Sequence, residues 1–162
     1  MTTTTTGTTG TTKVYRVYIK ATPQAIWDAI TKPEWTRKYG YQGIAEYDLR
    51  PGGRYRALAI PEHREAGMPE VPVEGEVIEV DPPVRLVQTW RPTWLDEPAT
   101  RLTYEIAERG NGVTSLTVTH ELAGAPQTLA QVNGEVESAG GGWAEVLSDL
   151  KSLLETGSPL YA

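Results

Sequence analysis

Residues 21–35, Ala21-Thr22-Pro23-Gln24-Ala25-Ile26-Trp27-Asp28-Ala29-Ile30-Thr31-Lys32-Pro33-Glu34-Trp35, decide how the rest of this chain is read. Thr22 can cap a helix with its hydroxyl, and Pro23 suits the first helical position, where no N–H is needed. Ile26, Trp27 and Ile30 then make an apolar stripe at helical spacing. After Thr31-Lys32, Pro33 starts a second short helix that carries Trp35 and Tyr39 four residues apart. Just upstream, residues 13–20 alternate. Val14, Arg16, Tyr18 and Lys20 take one side, and Tyr15, Val17 and Ile19 the other, which predicts a half-buried strand.

Downstream the pattern is one of strands. Residues 44–49 and 54–60 flank the turn Arg50-Pro51-Gly52-Gly53. Residues 61–72 read as a polar loop, with a lid over a cavity entrance as its functional alternative. Strands follow at 73–80 and 84–91, separated by Asp81-Pro82-Pro83. Residues 101–108 and 113–122 form a hairpin around Arg109-Gly110-Asn111-Gly112. A short helix is expected from Pro126 to about Val136. Trp143, Val146, Leu147, Leu150, Leu153 and Leu154 then recur at helical spacing, so the last helix has one broad apolar face. Strand, two short helices, sheet and long helix predict an α+β fold. In it a curved antiparallel sheet wraps the C-terminal helix, and the gap between them is expected to be a cavity.

Composition narrows the function. The 162 residues make one domain by length, and the formal charge is −6 with no dense Lys/Arg cluster. Nucleic acid and anionic membrane surfaces are therefore poor partners. No apolar run approaches the roughly 20 residues of a membrane span, so no membrane insertion is expected. The absence of Cys removes disulfides, thiol nucleophiles and thiolate metal sites. Residues 1–12 are nearly all Thr and Gly and read as a disordered tail, not a secretory signal. The domain is placed at residues 13–157, residues 158–162 are read as a C-terminal tail, and the location as cytoplasmic. The chain has no Phe, so 5 Trp and 8 Tyr carry all the aromatic bulk, each with a polar handle that wants a partner when buried.

The period of two sorts the sheet into faces. Leu102, Tyr104 and Ile106 share one face, as do Leu116, Val118 and His120, and Leu86, Gln88 and Trp90. Tyr55, Ala57 and Ala59 make a small-residue face. Inward faces of this kind make a mostly apolar cavity with a few polar groups, the usual composition of a small-molecule site. Tyr55, Gln88, Trp90, Tyr104, Val118 and His120 are the ligand-contact candidates on strands. Trp35 and Tyr39 are candidates at the mouth, and Trp143 at the last helix, where anchoring is its competing role. His120 is the catalytic candidate, as a desolvated general base or hydrogen-bond donor. Its competing role is a core histidine satisfied by its neighbours. Only His63 and His120 exist, so a three-His metal site is impossible and no metal or cofactor is expected. No GxSxG elbow or dinucleotide fingerprint occurs.

The segment at 21–35, Leu49-Arg50-Pro51-Gly52-Gly53-Arg54-Tyr55-Arg56, Glu79-Val80-Asp81-Pro82-Pro83, Leu86-Val87-Gln88-Thr89-Trp90, the strand Val113 to Glu121 and the Gly-Gly-Trp-led last helix together resemble one family. It is the heat-shock-protein-90 ATPase-activator-like branch of the SRPBCC superfamily, and the resemblance spans residues 13–156. It implies a helix-grip fold with a deep cavity under the last helix. It also implies a ligand that is hydrophobic, aromatic or polyketide-like, held by a carrier, sequestering or self-resistance protein of the kind found in antibiotic gene clusters. A cyclase or aromatase acting through His120 is the enzymatic alternative. A co-chaperone-like interaction module is the third, although the co-chaperone's activity relies on a second domain.

Overall fold

The computed structural model describes residues 11–136 and 140–161. Residues 1–10, which carry most of the predicted disordered tail, lie outside the described residues. Thr12 opens the first strand, and the Thr11 carbonyl accepts from the Leu122 N–H at 2.8 Å.

Strand β1 (Thr12–Ile19) leads into α1 (Pro23–Thr31) and α2 (Pro33–Thr36). Strands β2 (Ile44–Tyr47) and β3 (Arg54–Leu58) follow, then α3 (Pro61–Glu65). Strands β4 (Val73–Asp81), β5 (Arg85–Pro92), β6 (Thr100–Gly110) and β7 (Val113–Glu121) complete the sheet, and α4 (Pro126–Val132) and α5 (Gly142–Thr156) end the chain. The strands form one seven-stranded antiparallel sheet in the order β1-β7-β6-β5-β4-β3-β2. The α+β helix-grip architecture read from the sequence is the one observed.

The helix α1 forms as its residues dictate. The Thr22 hydroxyl accepts from the Ala25 N–H at 3.1 Å, Pro23 occupies the first turn, and Ile26, Trp27, Ala29 and Ile30 are buried. A Thr22→Ala substitution is expected to cost about 1 kcal/mol, the ordinary value of a lost N-cap, read as a lower urea midpoint. The core lies between α1, α5 and the concave face of the sheet. Ile26 and Ile30 meet Leu86, Leu102, Ile106, Leu116 and Val118 from the strands and Leu147 and Leu150 from α5. The inward faces assigned by alternation are those that fill it.

Three expectations differ from what is observed. Residues 61–65, read as loop, form α3, which carries no apolar periodicity and takes its helical start from Pro61. Glu62 in its first turn and Arg64 in its last match the helix dipole, and Gly67, at φ 104°, follows its end. The helix expected up to Val136 ends at Val132, because Asn133 caps it and Gly134 turns left-handed at φ 74°. The segment 158–161, read as a tail, is tied to α5. The Leu160 N–H donates to Asp149 Oδ1 at 2.7 Å and the Tyr161 hydroxyl to Glu145 Oε2 at 2.9 Å.

Candidate ligand-binding cavity

A cavity of about 510 Å³ opens between the concave sheet and the start of α5. Its walls come from β2 (Ala45, Tyr47), β3 (Tyr55, Ala57), β4 (Val73), β5 (Trp90) and β6 (Tyr104), with Trp143 and Val146 from α5. Tyr39 closes one side and His63 of α3 another. Tyr41, Met68 and Trp94 line it while standing 53%, 40% and 49% exposed, which places them at the mouth. The described lining residues include no Lys, Arg, Asp or Glu. Small residues on β2 and β3, the last two strands at one edge of the sheet, leave the space, and aromatic rings bound it.

The tyrosines are held by specific bonds. Tyr47 and Tyr55 lie opposite each other in the β2–β3 register, with ring centroids 4.6 Å apart. The Tyr47 hydroxyl donates to Gln88 Oε1 at 2.6 Å, and Gln88 Nε2 donates to the Thr89 carbonyl at 3.2 Å. The Tyr39 hydroxyl donates to the Ala29 carbonyl at 2.8 Å, tying the cavity wall to α1. Burial pushes the Tyr39, Tyr47, Tyr55 and Tyr104 hydroxyls well above the ordinary phenol value, and a hydrogen bond from Trp90 partly offsets this at Tyr55. These four groups are therefore neutral across physiological pH. Among the described residues the Tyr104 hydroxyl has no hydrogen-bond partner.

His120 has no accessible surface and does not line the cavity. The indole N–H of Trp143 can only donate, so at 3.1 Å it fixes His120 Nδ1 as acceptor. The neutral ring then carries its proton on Nε2 and donates it to Thr100 Oγ1 at 2.7 Å. Thr100 passes its own proton to the Trp90 carbonyl at 2.8 Å. Burial drives the His120 pKa down to about 3. Both nitrogens are spent holding Trp90 and Trp143, two walls of the cavity, so the residue read as a catalytic candidate is placed as a neutral strut behind them.

Of the nine ligand-contact candidates, Tyr39, Tyr55, Trp90, Tyr104 and Trp143 line the cavity. Gln88, Val118 and His120 are fully buried beneath it, and Trp35 packs against the core with Lys38 Nζ 4.6 Å above its ring. Sequence reasoning missed Tyr47, although its alternation with Ala45 on β2 was the available signal. His63 and Trp94 sit in connections, where no periodicity points inward. The glycine run before α5 serves close packing. A Cβ at Gly142 would meet the Val132 carbonyl and come within 2.6 Å of the Gly134 nitrogen. That contact is with the end of α4. Among the described residues, no three of His, Asp and Glu gather as a metal site requires, and no helix is long and apolar enough to cross a membrane.

A curved antiparallel sheet gripping a C-terminal helix, with an aromatic-walled cavity in the gap, defines the class as SRPBCC-type. Within it, residues 20–155 match the "Activator of Hsp90 ATPase homolog 1-like protein" family, and the chain belongs to that family. No curated protein matches it. Among solved structures it is similar to CalU16 from Micromonospora echinospora, at 22% identity and a TM-score of 0.62 over 87% of this chain and 76% of that one. It is similar to DynU16, a protein of the dynemicin biosynthetic locus, at 23% identity and a TM-score of 0.69; 93% of this chain is covered but only 49% of DynU16. An HSP90 activator, PFC0360w from Plasmodium falciparum, is similar at 20% identity and a TM-score of 0.59 over 79% of this chain and 89% of that one. At these identities the likeness is one of fold.

Proposed function

We propose that this protein binds an uncharged, hydrophobic aromatic molecule, polyketide-like in shape, and acts as its carrier or sequestering protein. The observation that carries this is the cavity of about 510 Å³ bounded by Trp90, Trp143 and five tyrosines, with no Lys, Arg, Asp or Glu among its described lining residues. Its volume lies within the range of ordinary small-molecule sites. A carboxylate drawn into such a space would lose its hydration without gaining a cation, so fatty acids fit less well than neutral rings. The similarity to a protein of the dynemicin biosynthetic locus adds support for a role of binding or self-resistance in an antibiotic gene cluster. A cyclase working through His120 has no observation in its favour, since both ring nitrogens are engaged and the ring is held neutral. The test is a tryptophan-fluorescence titration against polycyclic aromatics, polyketides and fatty acids, with Trp90→Ala in parallel. The expected result is saturable quenching by the neutral aromatics, at least about tenfold weaker for fatty acids and weakened in the variant. Saturation by none of the classes overturns the reading and moves weight to a protein partner, which a pull-down with the chaperone examines.

A further inference from the structure

His63 is a polar group that the fold itself leaves unexplained. It lines the cavity from α3, the short helix between β3 and β4. Its Nδ1 is buried and has no hydrogen-bond partner among the described residues. Native chains rarely keep such a nitrogen unpaired, because its hydration is lost and nothing replaces it. The contrast within this chain is sharp, for the other histidine has both nitrogens paired. The charged neighbours of His63 on its own helix, Glu62, Arg64 and Glu65, do not line the cavity and do not satisfy it.

Tyr104 presents the matching case on another wall. It lines the cavity from β6, and its hydroxyl is also without a partner among the described residues. Tyr39, Tyr47 and Thr36, by contrast, are spoken for: the first two donate to Ala29 and Gln88, and Thr36 accepts from the Ala45 N–H at 3.0 Å. Polar groups left without a partner on separate walls of a mostly apolar space are the sort of placed contacts that orient a ligand.

Resting on the cavity reading above, we infer that His63 and Tyr104 are the two polar contacts of the bound molecule, and that this molecule is a polycyclic aromatic ketone bearing a phenolic hydroxyl. The phenol O–H donates to the His63 ring, and the Tyr104 O–H donates to the ring carbonyl. A half-turn of the imidazole about χ2 exchanges Nδ1 with Cδ2, so the nitrogen serves either side of the ring without backbone movement. His63 is then the residue that sets specificity. A site built to take a hydroxyl discriminates against the analogue that lacks it, because the buried nitrogen is again left unpaired.

The experiment titrates the full chain with 2-hydroxyanthraquinone and with 2-methoxyanthraquinone, following tryptophan quenching. The wild-type protein is expected to bind the hydroxy compound about tenfold more tightly than the methyl ether, and His63→Leu to abolish that preference while leaving the ether within about threefold. Tyr104→Phe is expected to weaken both quinones by about fivefold and to keep the preference. Equal binding of the two quinones by the wild-type protein overturns the inference while the cavity reading stands, and this arm needs no variant to fold. A preference retained in a folded His63→Leu protein also overturns it. Binding of neither quinone overturns the cavity reading and this inference together.

Discussion

Between pH 6.5 and 5 the folded chain is expected to lose about 2 kcal/mol of stability to a single residue, His120. Its ring is fully buried, and burial lowers its pKa from the ordinary 6.5 to about 3. Above pH 6.5 neither the folded nor the unfolded chain carries this proton. Below it the unfolded chain takes up the proton and the folded chain does not, so protons favour unfolding down to about pH 3. The full interval corresponds to about 5 kcal/mol at 1.36 kcal/mol for each pH unit. Glu97 and Glu155, whose carboxylates are held below their ordinary 4.5 by hydrogen bonds, lose their contributions only at lower pH. The window from 6.5 to 5 therefore belongs to the histidine among the shifted groups. Urea midpoints at pH 7, 6 and 5 are expected to fall for the wild-type chain and to stay nearly flat for His120→Gln. Parallel falls in the two proteins would show that the imidazole is not held neutral behind the cavity.

That neutral imidazole also shows where sequence reading reaches its limit. Alternation along β5, β6 and β7 placed Gln88, Tyr104 and His120 on the inward face, and they are there. Period two says which face a residue is on, but it does not say how far under the cavity floor that residue lies. Trp90 and Gln88 share a face two residues apart, yet Trp90 lines the cavity while Gln88 is covered and bonded to Tyr47. The difference is made by the curl of the sheet, which brings β2 and β3 over β5, and no periodicity within β5 records it. The same limit applies to His63. Its helix lacks an apolar stripe, so only the tertiary placement of α3 turns it toward the cavity. The two histidines thus invert the sequence expectation: the one on the apolar face is structural, and the one in a polar connection lines the cavity.

The curl itself depends on one position that carries no side chain. Gly75 stands opposite Tyr55 in the β3–β4 pairing, and a Cβ there would be driven into the Thr89 carbonyl of β5, with the carbonyl carbon only 2.7 Å away. The backbone of β4 approaches its neighbour β5 this closely because no Cβ intervenes. In the same place the Glu76 N–H bonds the Thr89 hydroxyl at 2.8 Å, and the register slips between Val77 and Glu79. A strand glycine under such an approach marks a tight bend in a sheet. Gly75→Ala is expected to cost more than about 3 kcal/mol, because the obstacle is backbone and cannot rotate away. Gly43→Ala is the control. Its new Cβ would meet only the Ala57 methyl at 3.4 Å, an ordinary contact, so a change within about 1 kcal/mol is expected. If Gly75→Ala folds at all, it must do so by moving β4 away from β5, which carries the paired β3, and Tyr55 with it, out of the cavity wall. Its urea midpoint and its quinone affinity should then fall together, while Gly43→Ala keeps its midpoint. A Gly75→Ala protein as stable as the wild type would mean that the sheet curves for another reason and that the cavity does not depend on this close approach.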